Sequence, residues 1–327
     1  MINIAFAGLR HGHIFTLYNE AVNNPKYNVL GAFEENEAAR LEAQTQGLVC
    51  NYESLEALLA DERVDAVALG GCYGTRGEYA IKALRAGKHV IADKPLTTSL
   101  EELDIIEREA KNRGKTVSCM FTMRYDKKIN AAKKLFESGA LGEIAAVSFG
   151  GQHPLQYGRR PSWYFEENMH GGTINDIAIH GIDALYYAFG IKAQKINAAR
   201  CWNKLAASEP QFLDCAQMML TAENGAGVIA DVSYAIPDGV EFNLPYYWQF
   251  YIWGTKGALS FSHRQAGVYY LAGDPEPHAL EEVDAGEYLD DLLRVLQGDT
   301  GAILPMSDVI ASTRSTLQIQ AYADEDK

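Results

Sequence analysis

The sequence lacks the features of membrane-spanning and nucleic-acid-binding proteins. Its apolar runs, such as residues 65–71, are far shorter than the roughly 20 residues of a membrane span. Lys and Arg number 29 against 43 Asp and Glu, which gives a net charge of −14, and no basic stripe is present. Because such a chain repels phosphate backbones and anionic lipid surfaces, we expect neither nucleic acid nor a membrane as a partner.

The sequence is also poor in patterns that bind metal or form disulfides. Its five cysteines are odd in number, widely spaced and without a C-x-x-C pair, which favours reduced thiols. No dense spacing such as H-E-x-x-H occurs, so we predict no metal centre, although His153 or His170 could supplement other ligands. The N-terminus enters a strand pattern without a basic segment or cleavage site, and a cytoplasmic location is therefore expected.

What is present is an ordinary globular composition, 47% hydrophobic over 327 residues, which suggests two domains. Strand and helix patterns alternate through the first third, which predicts a doubly wound parallel sheet of the Rossmann type. Longer strands joined by hairpins follow, such as the one at residues 223–227, and predict an α+β domain with a mostly antiparallel open sheet. The predicted domains are 1–121 and 122–327, with a ligand cleft expected between them.

A glycine-containing turn follows the first predicted strand, where a helix N-terminus could receive pyrophosphate. Of the G-x-G-x-x-G pattern only Gly8 fits, because Arg10 and His13 hold the other two positions. Arg10 could block the approach of phosphates or bind them bidentately, and a plain tight turn is the alternative. The residues predicted to contact the nucleotide here are Gly8, Leu9, Arg10, His11, Gly12 and His13.

Two charged residues stand at the ends of later strands. Glu34 lies 26 residues after Gly8, where an acid can bind the adenosine ribose and repel a 2′-phosphate, which favours NAD over NADP. A solvated loop acid is the alternative. Lys94 follows the fourth strand and is restrained by Pro95, so that its ammonium could point into the cleft, although a surface lysine is the simpler interpretation.

A polar stripe interrupts the apolar segment 171–183. Asp176 and His180 are four residues apart and Asp183 follows three later, so on a helix all three share one face. Unpaired burial of such groups is costly. The stripe could serve proton transfer with His180 as the acting group, could ligate a metal, or could be a structural Asp–His pair; we favour proton transfer.

These residues resemble a known family, the Gfo/Idh/MocA oxidoreductases, over essentially the whole chain. The sequence Asp93-Lys94-Pro95 resembles the family's Glu-Lys-Pro signature, and 171–183 resembles its G-G-x(3)-D-x(3)-H-x(2)-D segment. Residues 123–125, with Arg124, resemble the passage into the second domain, and 214–234 and 251–257 resemble its C-terminal strands. The chain departs from the family at the glycine turn and at residues 70–74, where the family usually has A-T-P-x-H.

The resemblance implies reversible oxidation of a secondary alcohol of a sugar or cyclitol, with NAD as cofactor. Lys94 would contact the nicotinamide ribose and the substrate hydroxyl, Asp176 would bind substrate, and His180 would take the hydroxyl proton. It also implies a homo-oligomer, a dimer or tetramer, formed through the open sheet. The further cofactor contacts that it implies are Gly71, Cys72, Tyr73, Asp93 and Arg124.

The substrate is less well defined by the sequence. The segment before the Asp–His helix carries polar and aromatic residues, of which His153, Tyr157 and Trp163 are predicted to contact a sugar ring, with packing as the alternative. Two other functions remain open: a lyase or hydrolase that uses tightly bound NAD in a transient oxidation, and a ligand-binding protein without catalysis.

Overall fold

A computed structural model describes residues 1–237, 239–244, 247–273 and 275–325. The chain forms two compact units. The first contains residues 1–120, 166–171 and 288–313, and the second contains 121–165, 172–287 and 314–327. We keep the division into 1–121 and 122–327 as a proposal for the functional domains. No helix among the described residues is long and apolar enough to cross a membrane.

The first unit is built on a five-stranded parallel sheet, as predicted, with the order β2-β1-β3-β4-β5. Its strands are β1 (Ile2–Ala7), β2 (Tyr27–Phe33), β3 (Ala66–Leu69), β4 (His89–Ala92) and β5 (Val117–Cys119). The helices of its first 120 residues are α1 (His13–Asn23), α2 (Glu37–Thr45), α3 (Leu55–Ala60), α4 (Tyr73–Arg85) and α5 (Leu100–Arg113). Short apolar strands alternate with helices, and this is the pattern that predicted the sheet.

The strand order reverses at β1, and in parallel sheets ligands bind at such a point, beyond the carboxyl ends of the strands. Here the turns after β1 and β3 approach closely. A Cβ atom on Gly8 would lie 2.7 Å from the Cα atom of Gly71, and Gly8 has a φ of +73°. Glycine is therefore required at position 8 by both space and conformation.

Helix α4 begins at Tyr73, directly after the turn that follows β3. Gly74 and Gly77 lie near its start, although glycine lowers helix propensity. Gly74 has a packing role instead, because a Cβ atom there would lie 2.0 Å from the carbonyl oxygen of Asn168. The turn 70–72 is consequently followed at once by a helix.

The second unit contains an eight-stranded sheet with the order β13-β12-β11-β10-β6-β9-β8-β7. Its strands are β6 (Ile144–Pro154), β7 (Ala193–Trp202), β8 (Cys215–Ala222), β9 (Gly227–Ile236), β10 (Gln249–Gly254), β11 (Ala258–Ser262), β12 (Val268–Leu271) and β13 (His278–Leu280). Only the β6–β9 pair is parallel among the described pairs, which confirms a mostly antiparallel sheet. The α-helices that follow residue 120 in the two units are α6 (Lys127–Glu137), α7 (Ile179–Phe189), α8 (Tyr288–Leu296) and α9 (Met306–Glu325).

The two faces of this sheet differ. On one face Phe149 and Phe261 stack against Phe250, at ring-centroid distances of 5.9 and 5.0 Å. On the other face Tyr251 and Trp253 alternate with the buried residues of β10 and are exposed. Alternation with period two places successive side chains on opposite faces, so this sheet has a packed face and an open apolar face.

Candidate active site

The glycine turn of the first unit is held by acceptors from neighbouring strands. The N–H of Leu9 donates to the buried carboxylate of Glu34, whose other oxygen accepts from the N–H of Asn36 at 2.7 Å. The N–H of His11 donates to the carbonyl oxygen of Gly70 at 2.9 Å. Helix α1 has no side-chain cap and no acidic residue in its first turn. The turn is thus fixed in shape, and the first turn of α1 itself carries no acid that would offset its positive end.

A cavity of about 520 Å³ lies beside Glu34 at the carboxyl end of β2. Arg40 lines it and donates to the carbonyl oxygens of Glu34 and Glu35 at 3.3 and 3.4 Å. Glu34 is only 4% exposed, so the alternative of a solvated loop acid is wrong. A buried acid with two backbone donors, at the edge of a cavity, is suited to accept hydrogen bonds from hydroxyl groups.

Asp93 is the centre of a buried cluster at the end of β4. Its carboxylate binds the Nδ1 atom of His11, lies 3.4 Å from Nδ1 of His13, and accepts from Nη2 of Arg76 at 3.2 Å. Burial alone would raise the pKa of Asp93, but the adjacent His11 and Arg76 hold it well below its usual range. Burial lowers the pKa of His11 to about 4, against the opposing charge of Asp93. At neutral pH, His11 is therefore uncharged and donates its Nδ1 hydrogen to an ionised Asp93.

The ligand atoms of His11, His13 and Asp93 lie within 4.8 Å of one another, a set that could hold a metal ion among the described residues. The same carboxylate already binds the Arg76 guanidinium. A second cation there would meet electrostatic repulsion. We therefore interpret the cluster as a hydrogen-bonded one, and the absence of a metal centre stays a prediction.

Lys94 is 3% exposed, so it is not the surface lysine of the simpler interpretation. The Nζ atom of Lys94 lies 5.8 Å from the centroid of the Tyr73 ring. The backbone N–H of Lys94 donates to Oδ1 of Asp93 at 2.7 Å. Tyr73 is fully buried and also lies 5.4 Å from the His11 ring. Cys72 precedes α4, and burial raises the pKa of its thiol to about 11, which keeps it protonated. The turns after β1, β3 and β4 thus bring Gly8, Gly71, Tyr73, Asp93 and Lys94 into one region of the first unit.

In the second unit, Asp176 lies in a π-helical turn, Ile174–Ala178, that leads into α7. From the sequence we predicted that Asp176, His180 and Asp183 share one face of a single helix. The structure differs in that a π-helical turn precedes the α-helix. Such π-turns widen a helix locally and are frequent at functional sites. Gly181 lets α7 approach the sheet, because a Cβ atom there would lie 2.3 Å from the ring of Phe149. Close packing of this helix fixes the backbone on which His180 is carried.

The carboxylate of Asp176 is 2% exposed and accepts a hydrogen bond from the hydroxyl of Tyr234. Burial, followed by the charge of Asp176, raises the pKa of Tyr234 well above its usual range, so the phenol remains a donor. The guanidinium of Arg160 lies 4.9 Å from the Tyr234 ring centroid. The ring of His180 lies 5.7 Å from that of Trp248. Asp176 and His180 are therefore both held among aromatic side chains of the second unit.

The two carboxylates of the polar stripe have different partners. Asp183 forms a bidentate pair with Arg124, at 2.9 Å to Nε and 2.7 Å to Nη2, and both are fully buried. The ring of Tyr187 lies 5.1 Å from this guanidinium. This geometry gives Arg124 a structural role, and its contact with a cofactor stays a prediction.

The predicted substrate residues have different surroundings. His153 lies against four aromatic rings at 5.5–6.4 Å, those of Tyr234, Phe242, Tyr247 and Trp248. Trp163 is fully buried with its ring centroid 4.2 Å from that of Tyr164, as in the packing alternative. Tyr157 is 51% exposed, and its hydroxyl bonds to Ser208 and Glu209 at 2.8 and 2.9 Å. Of the three, His153 shares neighbours with Asp176 and His180.

Three supporting residues were not predicted: Arg76, Tyr234 and Gln320. The side-chain oxygen of Gln320 accepts from the N–H of Ile174 at 3.0 Å and thereby supports the start of the π-turn. Gln320 follows that turn by 146 positions, so no local pattern connects the two. Arg76 lies two residues beyond the segment 70–74, where the sequence departs from the family pattern, and no motif in the sequence identified it.

Two family models match this chain. An oxidoreductase model with an NAD-binding Rossmann fold matches residues 2–121, and a GFO/IDH/MocA C-terminal domain model matches residues 129–260. A crystal structure of a protein from Erwinia carotovora atroseptica has a TM-score of 0.87 and 25% identity, with 99% of both chains covered.

Curated relatives match a smaller share of this chain than that crystal structure does. Inositol 2-dehydrogenase 2 from Saccharopolyspora erythraea is 27% identical over 235 residues, 71% of this chain and 65% of that protein. The 2,7-anhydro-N-acetylneuraminate hydratase from Escherichia coli is 26% identical over 231 residues, 70% of this chain and 60% of that protein. The chain thus spans less than two thirds of the length of these relatives.

Proposed function

The chain belongs to the GFO/IDH/MocA oxidoreductase family, and from this premise we propose that it is an NAD(H)-dependent dehydrogenase of a sugar or cyclitol. One observation carries the proposal. The three ionisable side chains that the motif spacing singled out, Lys94, Asp176 and His180, are only 3%, 2% and 8% exposed. Burial of charged and proton-transferring groups lowers stability unless they are compensated, and such groups concentrate at active sites.

The glycine turn and the cavity beside Glu34 suit a dinucleotide. The first turn of α1 offers a positive helix end without an acidic residue, which favours a pyrophosphate there. The Glu34 carboxylate would accept hydrogen bonds from the adenosine ribose and disfavour a 2′-phosphate, which supports NAD over NADP. When bound, NAD+ supplies the acceptor for the hydride of a secondary alcohol.

The side chains of the chain itself have separate tasks in this proposal. Lys94 places an ammonium group near the alcohol oxygen, where negative charge develops as the proton leaves. His180 accepts that proton as general base, and Asp176 binds a substrate hydroxyl group. Tyr234 holds the Asp176 carboxylate in place through its hydrogen bond. His153, among the aromatic rings, would contact the sugar.

The proposal is tested by incubating the purified protein with NAD+ and a panel of cyclitols and sugars while NADH absorbance is recorded. We expect reduction of NAD+ by at least one compound and its loss in Lys94→Met and in His180→Asn. Full turnover in Lys94→Met would contradict the assignment of Lys94.

A second function is favoured by the Escherichia coli relative, which is a hydratase. In that case the chain would hold its nucleotide through the whole cycle and catalyse elimination or addition of water after a transient oxidation. The same assay distinguishes the two, since product would then form without net accumulation of NADH. A nucleotide that copurifies and does not exchange would favour this second function.

We also propose that the chain forms a homo-oligomer through the open face of the eight-stranded sheet. Trp253 is 54% exposed there, and with Tyr251, Tyr269 and Leu271 it lines an apolar groove of about 460 Å³. Contiguous exposed apolar surface of this kind is typical of interfaces. Light scattering is expected to give a dimer or tetramer for the native chain and a smaller particle for Trp253→Glu.

A further inference from the structure

We propose that Arg76 is a positioning residue for Lys94, and that it couples the geometry of this lysine to the glycine turn. This inference rests on the proposed function, because it is the proposed function that makes Lys94 a catalytic residue. Arg76 lies on α4 and is 1% exposed, so its charge is fully removed from water. Burial of a guanidinium lowers stability unless each of its N–H donors has a hydrogen-bond acceptor. The acceptors bound by Arg76 therefore show which parts of the chain it holds in place.

The partners of Arg76 belong to two turns. Nη1 donates to the carbonyl oxygen of Lys94 at 2.6 Å and to that of Pro95 at 3.1 Å. Nε donates to the carbonyl oxygen of Gly71 at 3.0 Å, and Nη2 donates to Asp93 at 3.2 Å. One side chain thus connects the turn after β3 with the turn after β4.

These bonds fix the backbone on both sides of the Lys94 Cα atom. The carbonyl group of Lys94 is bound by Arg76, and its N–H is bound by Asp93, which is itself bound by Arg76. The direction in which the Lys94 side chain leaves the backbone is therefore set by a single guanidinium and the carboxylate beside it. Misplacement of a catalytic group by about 1 Å can reduce a rate on the order of a hundredfold.

The hydrogen bonds that Arg76 makes to two turns require a guanidinium group. Its planar fork donates in several directions at once, whereas an ammonium is a point charge on a flexible stem. Arg76 also lies 4.7 Å from the centroid of the Tyr73 ring, which covers its face. A lysine at this position would keep the positive charge beside Asp93 but would be unable to reach both turns.

The network extends to the glycine turn through Asp93, which binds His11 as well as Arg76. The turns after β1, β3 and β4 consequently share one hydrogen-bonded cluster. A change at Arg76 would thus alter the position of Lys94 first and the glycine turn second.

The test compares Arg76→Lys and Arg76→Gln with Arg85→Lys, a control on the exposed side of the same helix, where Arg85 is paired with Glu109. Three quantities are measured: kcat for NAD+ reduction, the Kd of NADH by calorimetry, and the rate at which Lys94 is modified by trinitrobenzenesulfonate, read by mass spectrometry. We expect kcat to fall roughly tenfold to a hundredfold in both Arg76 variants, with the Kd of NADH changed less than about threefold. Modification of Lys94 should change relative to the other lysines, and the control should match the native protein.

Unchanged kcat together with unchanged Lys94 modification in folded Arg76→Lys would overturn the proposal. Failure of both variants to fold would also overturn it, because Arg76 would then have a purely structural role. The lysine modification needs neither substrate nor turnover. If the native protein reduces no NAD+, the proposed function fails, while the modification rates still report on Arg76.

Discussion

The hydroxyl of Tyr234 donates to the carboxylate of Asp176, and both groups are almost completely buried. Tyr234 comes from β9 and Asp176 from the π-turn before α7, so the bond joins the sheet to the helix that carries His180. A buried carboxylate is stabilised in its charged form by such a donor. The position and charge of Asp176 therefore depend on a tyrosine that the sequence motif does not include.

Replacement of this tyrosine is expected to weaken catalysis more than folding. A hydrogen bond to a charged group contributes about 1.5–3 kcal/mol, so Tyr234→Phe should lower kcat/KM roughly tenfold to a hundredfold. The control is Tyr187→Phe, which removes a bond to Asn130 in the same unit. Equal activity losses in the two variants would contradict the role of Tyr234.

The free energy of unfolding should depend on pH through the titration of His11. Its pKa is about 4 in the folded chain, against 6.5 when unfolded, because burial disfavours its charged form. As the pH falls from 6.5 towards 4, the unfolded chain binds a proton that the folded chain does not, so the free energy of unfolding decreases. We expect this group to account for a loss on the order of 3 kcal/mol over that range.

Urea denaturation at several pH values, compared between the native protein and His11→Asn, measures this contribution. Asparagine can still donate to Asp93 but does not titrate. The variant should therefore show a flatter dependence between pH 6.5 and 4. Parallel curves for the two proteins would mean that His11 binds its proton in the folded state.

The buried pair of Arg124 and Asp183 should matter for the stability of the second unit. Asp183→Asn removes the charge that compensates a fully buried guanidinium, and breaking such a pair costs about 3–5 kcal/mol. Thermal unfolding should show a clearly lower Tm. Arg159→Gln, which breaks an exposed pair with Glu241, should leave the Tm nearly unchanged. Similar Tm values for all three proteins would show that the buried pair contributes little.

Glu34 should determine the preference between the two nucleotides. Glu34→Gln keeps an acceptor for the N–H of Leu9 but removes the charge that repels a 2′-phosphate. The ratio of the Kd values of NADPH and NADH should fall at least about tenfold, which corresponds to roughly 1.4 kcal/mol. The exposed neighbour Glu35 supplies the control, Glu35→Gln. A ratio that is the same in both variants would remove Glu34 from cofactor selection.

Local patterns in the sequence were sufficient for most of the fold. Ser99 caps α5, since its hydroxyl accepts from the N–H of Glu102 three residues later at 3.3 Å. Gly87, just after α4, and Gly225, in the predicted hairpin, both have a positive φ. Such features depend on neighbours a few residues away, so they can be read from the chain directly.

The site was less completely predictable because its support comes from distant residues. The motif spacing identified Asp176 and Asp183, but their different partners, Tyr234 and Arg124, depend on how β9 and residues 122–125 pack. The π-turn at Ile174–Ala178 is supported by Gln320 from α9. Glycines at 74 and 181 each serve a close contact with a distant residue. Such contacts arise only once distant segments are packed together.

The most direct test of the account is a paired measurement of nucleotide and product. The native protein is incubated with NAD+ and the most active alcohol of the panel, and NADH and the oxidised product are quantified in the same sample. The account predicts one NADH for each ketone formed, and at least a roughly hundredfold lower rate in His180→Asn. Product without net NADH, or an unchanged rate in His180→Asn, would contradict it.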